Sequence, residues 1–181
     1  VDGSLSLMSF FYSLKEMGRW VDKRESNLLD GFAHFYDTYE CSDNKFLAVG
    51  SIEPQFYSEL LDKLGIEEDK FKDQHNKDLW PELKNIMSSK IKSKSRSEWI
   101  EIFKDSDACV SPVLSMEEAK KHPHNIERDA FINIDGFNQP NASPRYSVTK
   151  QKIKHNAKQV GADLDDICKE FNLSIDALKK T

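Results

Sequence analysis

Leu5, Leu7, Met8, Phe11, Tyr12, Leu14 and Met17 recur at helical spacing and Gly18 follows as a stop, so the chain is expected to open on an amphipathic helix. Past a polar stretch at residues 22–27 the pattern changes to two short runs, 34–40 and 45–51, joined by Cys41-Ser42-Asp43-Asn44. That is a hairpin signal. Within the second run Phe46, Leu47, Ala48 and Val49 are apolar without polar alternation, which fits a strand buried on both faces. The strand then runs almost directly into a helix, with Glu53 at the capping position, Pro54 at the first helical position and Gly65 as the stop after about Leu64. A charged stretch leads to Trp80-Pro81, which opens a further helix with Leu83, Ile86, Met87 and Ile91 on one face.

The second half continues in shorter pieces. Ser97 is the expected cap of a short helix through Phe103, and residues 108–113 read as a strand. Ser115 and Glu118, three apart, form a capping-box pattern ahead of a helix of about two turns. Residues 129–149 look like an extended connection with one brief strand at 130–134, and amphipathic pieces at 163–171 and 174–180 close the chain. No internal repeat is apparent. The pattern is that of an α/β or α+β polypeptide.

Composition narrows the functional classes. With 181 residues, 38% apolar and 31% charged, the chain is long enough for one good core or two small ones. Its longest apolar runs fall far short of the roughly 20 residues that span a bilayer, so no membrane association is expected. The first residues are Val1-Asp2-Gly3, so the lack of a leader says nothing about targeting. A net charge of −5, from 26 basic and 31 acidic residues, argues against a nucleic-acid partner held by phosphate attraction. The one basic cluster, Lys90 to Arg96, reads first as a solvated helix end and otherwise as a patch for a phosphorylated ligand. Cys41, Cys109 and Cys168 are widely separated and read as reduced, partly buried thiols. Two glycosylation-type triplets, at Asn141 and Asn172, matter only in a secreted protein, and secretion is not expected.

Few residues carry obvious chemistry. His122-Pro123-His124 is the densest histidine cluster, but no Cys or acid follows at zinc spacing, so it is expected to be a loop and no metal site is expected. The seven glycines are scattered, with neither a phosphate loop nor a nucleophile elbow. One well-placed acid remains. Glu53 stands where a strand delivers a carboxylate to a helix start, a position that satisfies free N–H groups and the helix dipole and can also hold a reactive carboxylate still.

Four blocks carry a resemblance to a known family: Tyr36-Asp37-Thr38-Tyr39, then Ala48 through Tyr57 including Ser51-Ile52-Glu53-Pro54-Gln55-Phe56, then Asp107 through Leu114, then His124-Asn125-Ile126-Glu127-Arg128. In order and separation they resemble the α-methylacyl-CoA racemase branch of the family III CoA-transferases. The resemblance extends along the whole chain and implies the C-terminal half of such a protein. It implies that residues 1–28 end the large domain, 29–134 form the smaller domain, and 135–181 are a returning linker and C-terminal helices. The class is then α/β overall and α+β in this portion, a β-hairpin and short strands packed with helices.

The resemblance also implies a function. Family racemases invert the carbon next to a thioester by taking a proton from one face and returning one to the other, with no metal and no redox cofactor, on an acyl-CoA substrate. Such a reaction needs two acid/base groups and a stabilised enolate. In the family these are a histidine and an aspartate of the N-terminal half, the histidine paired with a glutamate that matches Glu53. Glu53 is therefore the candidate catalytic residue. The portion alone is expected to be inactive, and the residues that grip CoA are expected in the other half. Family transferases instead form a covalent intermediate on the aspartate and resemble one another in a glycine-rich loop; here that place reads Asp30-Gly31-Phe32-Ala33-His34, with one glycine. A non-catalytic interaction domain is the third possibility. The resemblance implies an interlocked homodimer. It leaves the compartment open among mitochondrial, peroxisomal and cytoplasmic; the C-terminal Lys179-Lys180-Thr181 lacks the usual peroxisomal tripeptide.

Overall fold

The computed structural model describes residues 1–175. The expected last helix at 174–180 lies, beyond Ile175, outside the described residues. Two compact units divide the chain, Val1–Val113 and Leu114–Thr181. Their secondary structure is α+β, helices with small antiparallel sheets.

The first unit opens on α1 (Asp2–Leu7) and α2 (Ser9–Glu16), where one continuous helix was expected. The break is slight. Met8 (φ −80°, ψ −5°) stays in the right-handed helical region but tightens the turn, its N–H shared between Ser4 and Leu5 carbonyls at 3.1 Å each. Gly18 takes φ +68° and ends the segment, as its lack of a Cβ allows. Phe11 then meets Trp20 edge-on at 4.9 Å.

A three-stranded antiparallel sheet follows, β1 (Tyr36–Glu40), β2 (Phe46–Gly50) and β3 (Val110–Pro112), with β2 in the centre. Pro112 sits on an edge strand, where its missing N–H costs no ladder bond. The register places Tyr39 opposite Leu47 and Asp37 opposite Val49 on one face; Tyr36 opposite Gly50 and Thr38, Ala48 and Ser111 abreast line the other. Burial alternates along β2, with Leu47 and Val49 inside and Phe46 exposed. This corrects the expectation of a strand buried on both faces. The unbroken apolar run arises because the outer face carries Phe46, Ala48 and Gly50 rather than polar side chains.

The inner face packs against α3 (Pro54–Leu64), α4 (Trp80–Ile91) and α5 (Arg96–Phe103). Tyr57, Leu60 and Leu64 form the buried stripe of α3, and Trp80, Leu83, Met87 and Ile91 that of α4. Gly65 closes α3 in the left-handed region (φ +62°, ψ +49°), as expected of a C-terminal stop. The buried indoles are satisfied: Trp80 Nε1 donates to the Gln74 carbonyl at 2.8 Å and Trp99 Nε1 to that of Ile91 at 2.7 Å. The cap of α5 is Ser95, not Ser97. Ser95 forms a complete capping box with Glu98, whereas Ser97 is exposed inside the first turn.

The second unit holds α6 (Met116–Lys121), α7 (Pro123–Glu127), a hairpin of β4 (Phe131–Ile134) and β5 (Phe137–Pro140), and α8 (Leu164–Glu170). The Ser115–Glu118 capping box forms as expected. His122-Pro123-His124 is not a loop: His122 caps α7 and Pro123 takes its first turn. β5 was not expected. It pairs with β4 across Asp135-Gly136, both at positive φ (+51° and +84°), the backbone that a tight two-residue hairpin turn requires.

Candidate functional site

Strand β2 ends at Gly50, and the next three residues turn a sharp corner into α3. Ile52 N–H bonds back to the Gly50 carbonyl at 3.0 Å, a three-residue turn centred on Ser51. Ser51 is fully buried; its N–H donates to the Phe35 carbonyl at 3.0 Å and its hydroxyl to that of Ala108 at 2.5 Å. The buried carboxamide of Gln74 donates from Nε2 to both the Ser51 and Ile52 carbonyls, at 3.0 Å each. Every polar backbone group of this corner is thereby matched before the chain reaches Glu53.

Glu53 occupies the capping position of α3 with extended backbone (φ −74°, ψ +142°), and its carbonyl accepts from Tyr57 N–H at 2.9 Å. Its side chain makes no capping hydrogen bond and is exposed. Pro54 explains part of this, since it fixes the turn without an N–H to satisfy. The cap is thus positional, and the carboxylate projects from a rigid base.

Behind the corner lies a buried aromatic cluster. His34 Nε2 and the Tyr57 hydroxyl are 2.7 Å apart, and Tyr39 donates its hydroxyl to the His34 carbonyl at 2.6 Å. Edge-on contacts join the His34 ring to Phe35, Tyr57 and Phe71. Burial, with a smaller contribution from the charge of His75, depresses the His34 pKa to about 4, so the imidazole is neutral at physiological pH. Burial likewise raises the Tyr57 phenol above its ordinary value. Among the described residues, buried His34 Nδ1 has no hydrogen-bond partner. Sequence reasoning gave none of these groups a role.

The outer face of the sheet, beside Glu53, carries an open depression of about 460 Å³ lined by Tyr36, Thr38, Ala48, Gly50, Cys109 and Ser111, with Asp30, Gly31, Asp37 and Val49 completing its wall. Cys109 holds a left-handed backbone (φ +53°), and its carbonyl accepts from Gly50 N–H at 3.0 Å. Its thiol pKa is raised, first by burial and then by the carboxylates of Glu53, Asp107 and Glu59. A thiol held protonated in this way is a poor nucleophile. From α4, Lys84 Nζ reaches both the Gly31 carbonyl, on the loop before β1, and Asp37 Oδ2, in β1, at 2.5 Å each. Gly31 is at φ +89°, and a Cβ there would stand 3.3 Å from Asp37 Oδ1.

The basic cluster is consumed by the protein itself. Lys90 reaches the Gly65 carbonyl at 3.4 Å, Lys92 pairs with Glu40 at 3.0 Å, Lys94 lies 5.7 Å from the Trp99 ring centre, and Arg96 donates to the Val113 carbonyl. Among the described residues no group of three or more His, Cys, Asp or Glu is placed to hold a metal ion, and no helix is long and apolar enough to cross a membrane.

Three of the four blocks on which the sequence resemblance rests thus converge on one corner: Tyr36 to Tyr39 lie in β1, Ala48 to Tyr57 span the end of β2 and the start of α3, and Asp107 to Leu114 contain β3, whereas His124 to Arg128 fall on α7 in the second unit. A family model described as CoA-transferase family III matches residues 1–164. The chain belongs to this family. An alpha-methylacyl-CoA racemase of Mus musculus is 40% identical over 177 residues, 96% of this chain and 46% of the relative. One of Homo sapiens is 42% identical over 145 residues, 80% of this chain and 37% of the relative. A CaiB/baiF CoA-transferase family protein of Caenorhabditis elegans is 32% identical over 121 residues. The chain spans less than half the length of these curated relatives. Among solved structures, the hypothetical protein Rv3272 of Mycobacterium tuberculosis superposes with a TM-score of 0.62 at 14% identity, over 85% of this chain and 41% of that one. A mutant of the same protein gives 0.63 at 13% identity, over 90% of this chain and 43% of that one. These likenesses concern the fold alone.

Proposed function

We propose that the whole protein to which this chain belongs interconverts the two configurations of 2-methyl-branched acyl-CoA thioesters, and that Glu53 supports the histidine that moves the proton. The observation that carries this reading is an exposed carboxylate on a corner whose backbone is fully tied down, in a chain about 40% identical to relatives named alpha-methylacyl-CoA racemase. The thioester acidifies the neighbouring C–H, one acid/base group removes that proton, and a second returns a proton to the opposite face of the enolate. Glu53 would accept a hydrogen bond from the imidazole and favour its cationic form, as the acid of a catalytic triad does. The histidine, the aspartate and most CoA contacts belong in this reading to the other half of the protein, so this portion alone is inactive.

No metal or redox cofactor enters the reaction. The reading carries with it an interlocked homodimer, a smaller domain at 29–134 flanked by the end of the large domain and a returning tail, and a mitochondrial, peroxisomal or cytoplasmic setting. The single glycine in Asp30-Gly31-Phe32-Ala33-His34, where the transferases are glycine-rich, and the acid at position 53 favour racemisation over transfer.

The test is proton NMR of a 2-methylacyl-CoA in heavy water with the full-length protein and its Glu53→Gln variant. The expected result is α-proton exchange with loss of configuration, slower by roughly 100-fold in the variant. Transfer of CoA to an added carboxylate without exchange would replace the racemase by a transferase, and neither activity would leave an interaction domain.

A further inference from the structure

Between Gly65 and Trp80 the chain forms no α-helix, only a short 3₁₀ turn at Asp69–Lys72, and most of its side chains are charged or polar. One of them nevertheless goes inward. Gln74 is buried, its carboxamide lies under the β2–α3 corner, and its two N–H groups serve two consecutive carbonyls, those of Ser51 and Ile52. In an extended strand consecutive carbonyls point to opposite sides. Here the turn closed by Ile52 N–H and the Gly50 carbonyl brings both within reach of one nitrogen. The loop is itself anchored at that point, since Trp80 Nε1 holds the Gln74 main-chain carbonyl and Phe71 is buried three residues earlier.

We propose that Gln74 is a positioning residue for Glu53: by holding the peptide groups of Ser51 and Ile52 it sets the direction in which the Glu53 carboxylate leaves the corner. The inference rests on the reading of Glu53 given above. The Ile52 carbonyl belongs to the peptide whose nitrogen is that of Glu53, so rotation of this peptide redirects the Glu53 Cα–Cβ bond. The carboxamide supplies two uncharged N–H donors on one nitrogen, one for each carbonyl. A hydroxyl offers one donor, a carboxylate faces the carbonyls with like charge, and an apolar side chain leaves the buried Ser51 carbonyl unpaired. Misplacement of a supporting group by about 1 Å is enough to slow a proton transfer that depends on aligned geometry.

A double-substitution cycle on the full-length protein tests this, with Gln74→Met, Glu53→Gln and the pair, assayed by α-proton exchange of a 2-methylacyl-CoA well below the melting temperature of each variant. Gln74→Met is expected to lower kcat about tenfold with KM within twofold of the parent, and to lower kcat no further in the Glu53→Gln background. A Gln74→Met enzyme with parental kcat and a reduced melting temperature would overturn the inference, leaving Gln74 a structural amide. So would equal losses in both backgrounds, which would mean that Gln74 acts independently of Glu53. Parental exchange in Glu53→Gln alone would overturn the reading of Glu53 and this inference with it. Should Gln74→Met fail to fold, Gln74→Asn, which keeps the carboxamide one methylene short of the two carbonyls, takes its place in the same cycle.

Discussion

His34 is a titratable base in a setting that disfavours its charge, and that has a measurable consequence. Its folded-state pKa is pushed down to about 4 from an ordinary 6.5 by burial and by the charge of His75. Between those values the unfolded chain binds the proton that the folded one refuses, so stability rises with pH. The contribution is fully present above about pH 6.5, is lost as pH falls towards 4, and changes no further below that; its full size is about 3 kcal/mol. His34→Gln keeps a polar group for the Tyr57 hydroxyl but does not titrate. Melting temperatures measured from pH 7.5 to 4.5 should fall more steeply for the parent than for this variant. Parallel curves would show that the imidazole takes up its proton as easily folded as unfolded. Carboxyl groups whose pKa is lowered, such as Asp43, where desolvation pushes up but backbone hydrogen bonds outweigh it, are common to both proteins and leave the comparison intact.

At the scale of the element, the sharpest contrast is between two serines two residues apart. Ser95 accepts from Glu98 N–H and receives Glu98 on its own N–H, whereas Ser97 lies exposed within α5. In urea denaturation Ser95→Ala is expected to lose about 1 kcal/mol and Ser97→Ala less than about 0.5 kcal/mol; the reverse order would return the cap to Ser97. The misplacement shows what a sequence makes legible. Gly65, Pro54 and the Ser115–Glu118 pair act on residues within one turn of themselves, so their spacing already carries the answer. Both serines precede the apolar Trp99, and only the Glu98 pairing three residues on favours Ser95. The β5 strand was foreshadowed by Asp135-Gly136, a turn pair passed over among neighbouring Asn, Pro and Ser residues. Gln74 had no local signal at all. Its role comes from carbonyls 22 and 23 residues away, and one more polar residue in a charged stretch does not reveal where a loop will fold back. Glu53 was legible because a strand, a proline and a family likeness coincide on it, while the depression beside it depends on strand pairing and so appears only in three dimensions.

At the scale of the whole molecule, the first two helices are the part least accounted for by the chain itself. No residue of α1 or α2 is buried, and Leu7 is 83% and Phe10 56% exposed, yet these residues recur with the spacing of a core-facing stripe. Apolar stripes of this kind mark surfaces that another part covers. In the proposed whole protein that cover is the remainder of the large domain, so one pair of substitutions should act with opposite sign in two settings. In the 181-residue chain, Leu7→Glu with Phe10→Glu removes adhesive surface, and sedimentation velocity should show less self-association with an unchanged circular dichroism spectrum. In the full-length protein the same pair places two carboxylates against apolar neighbours, and the melting temperature should fall by several degrees. Unchanged association of the short chain would mean that some other surface is adhesive. An unchanged melting temperature of the long one would mean that these helices face solvent there too, and the large-domain assignment of residues 1–28 would have to be abandoned.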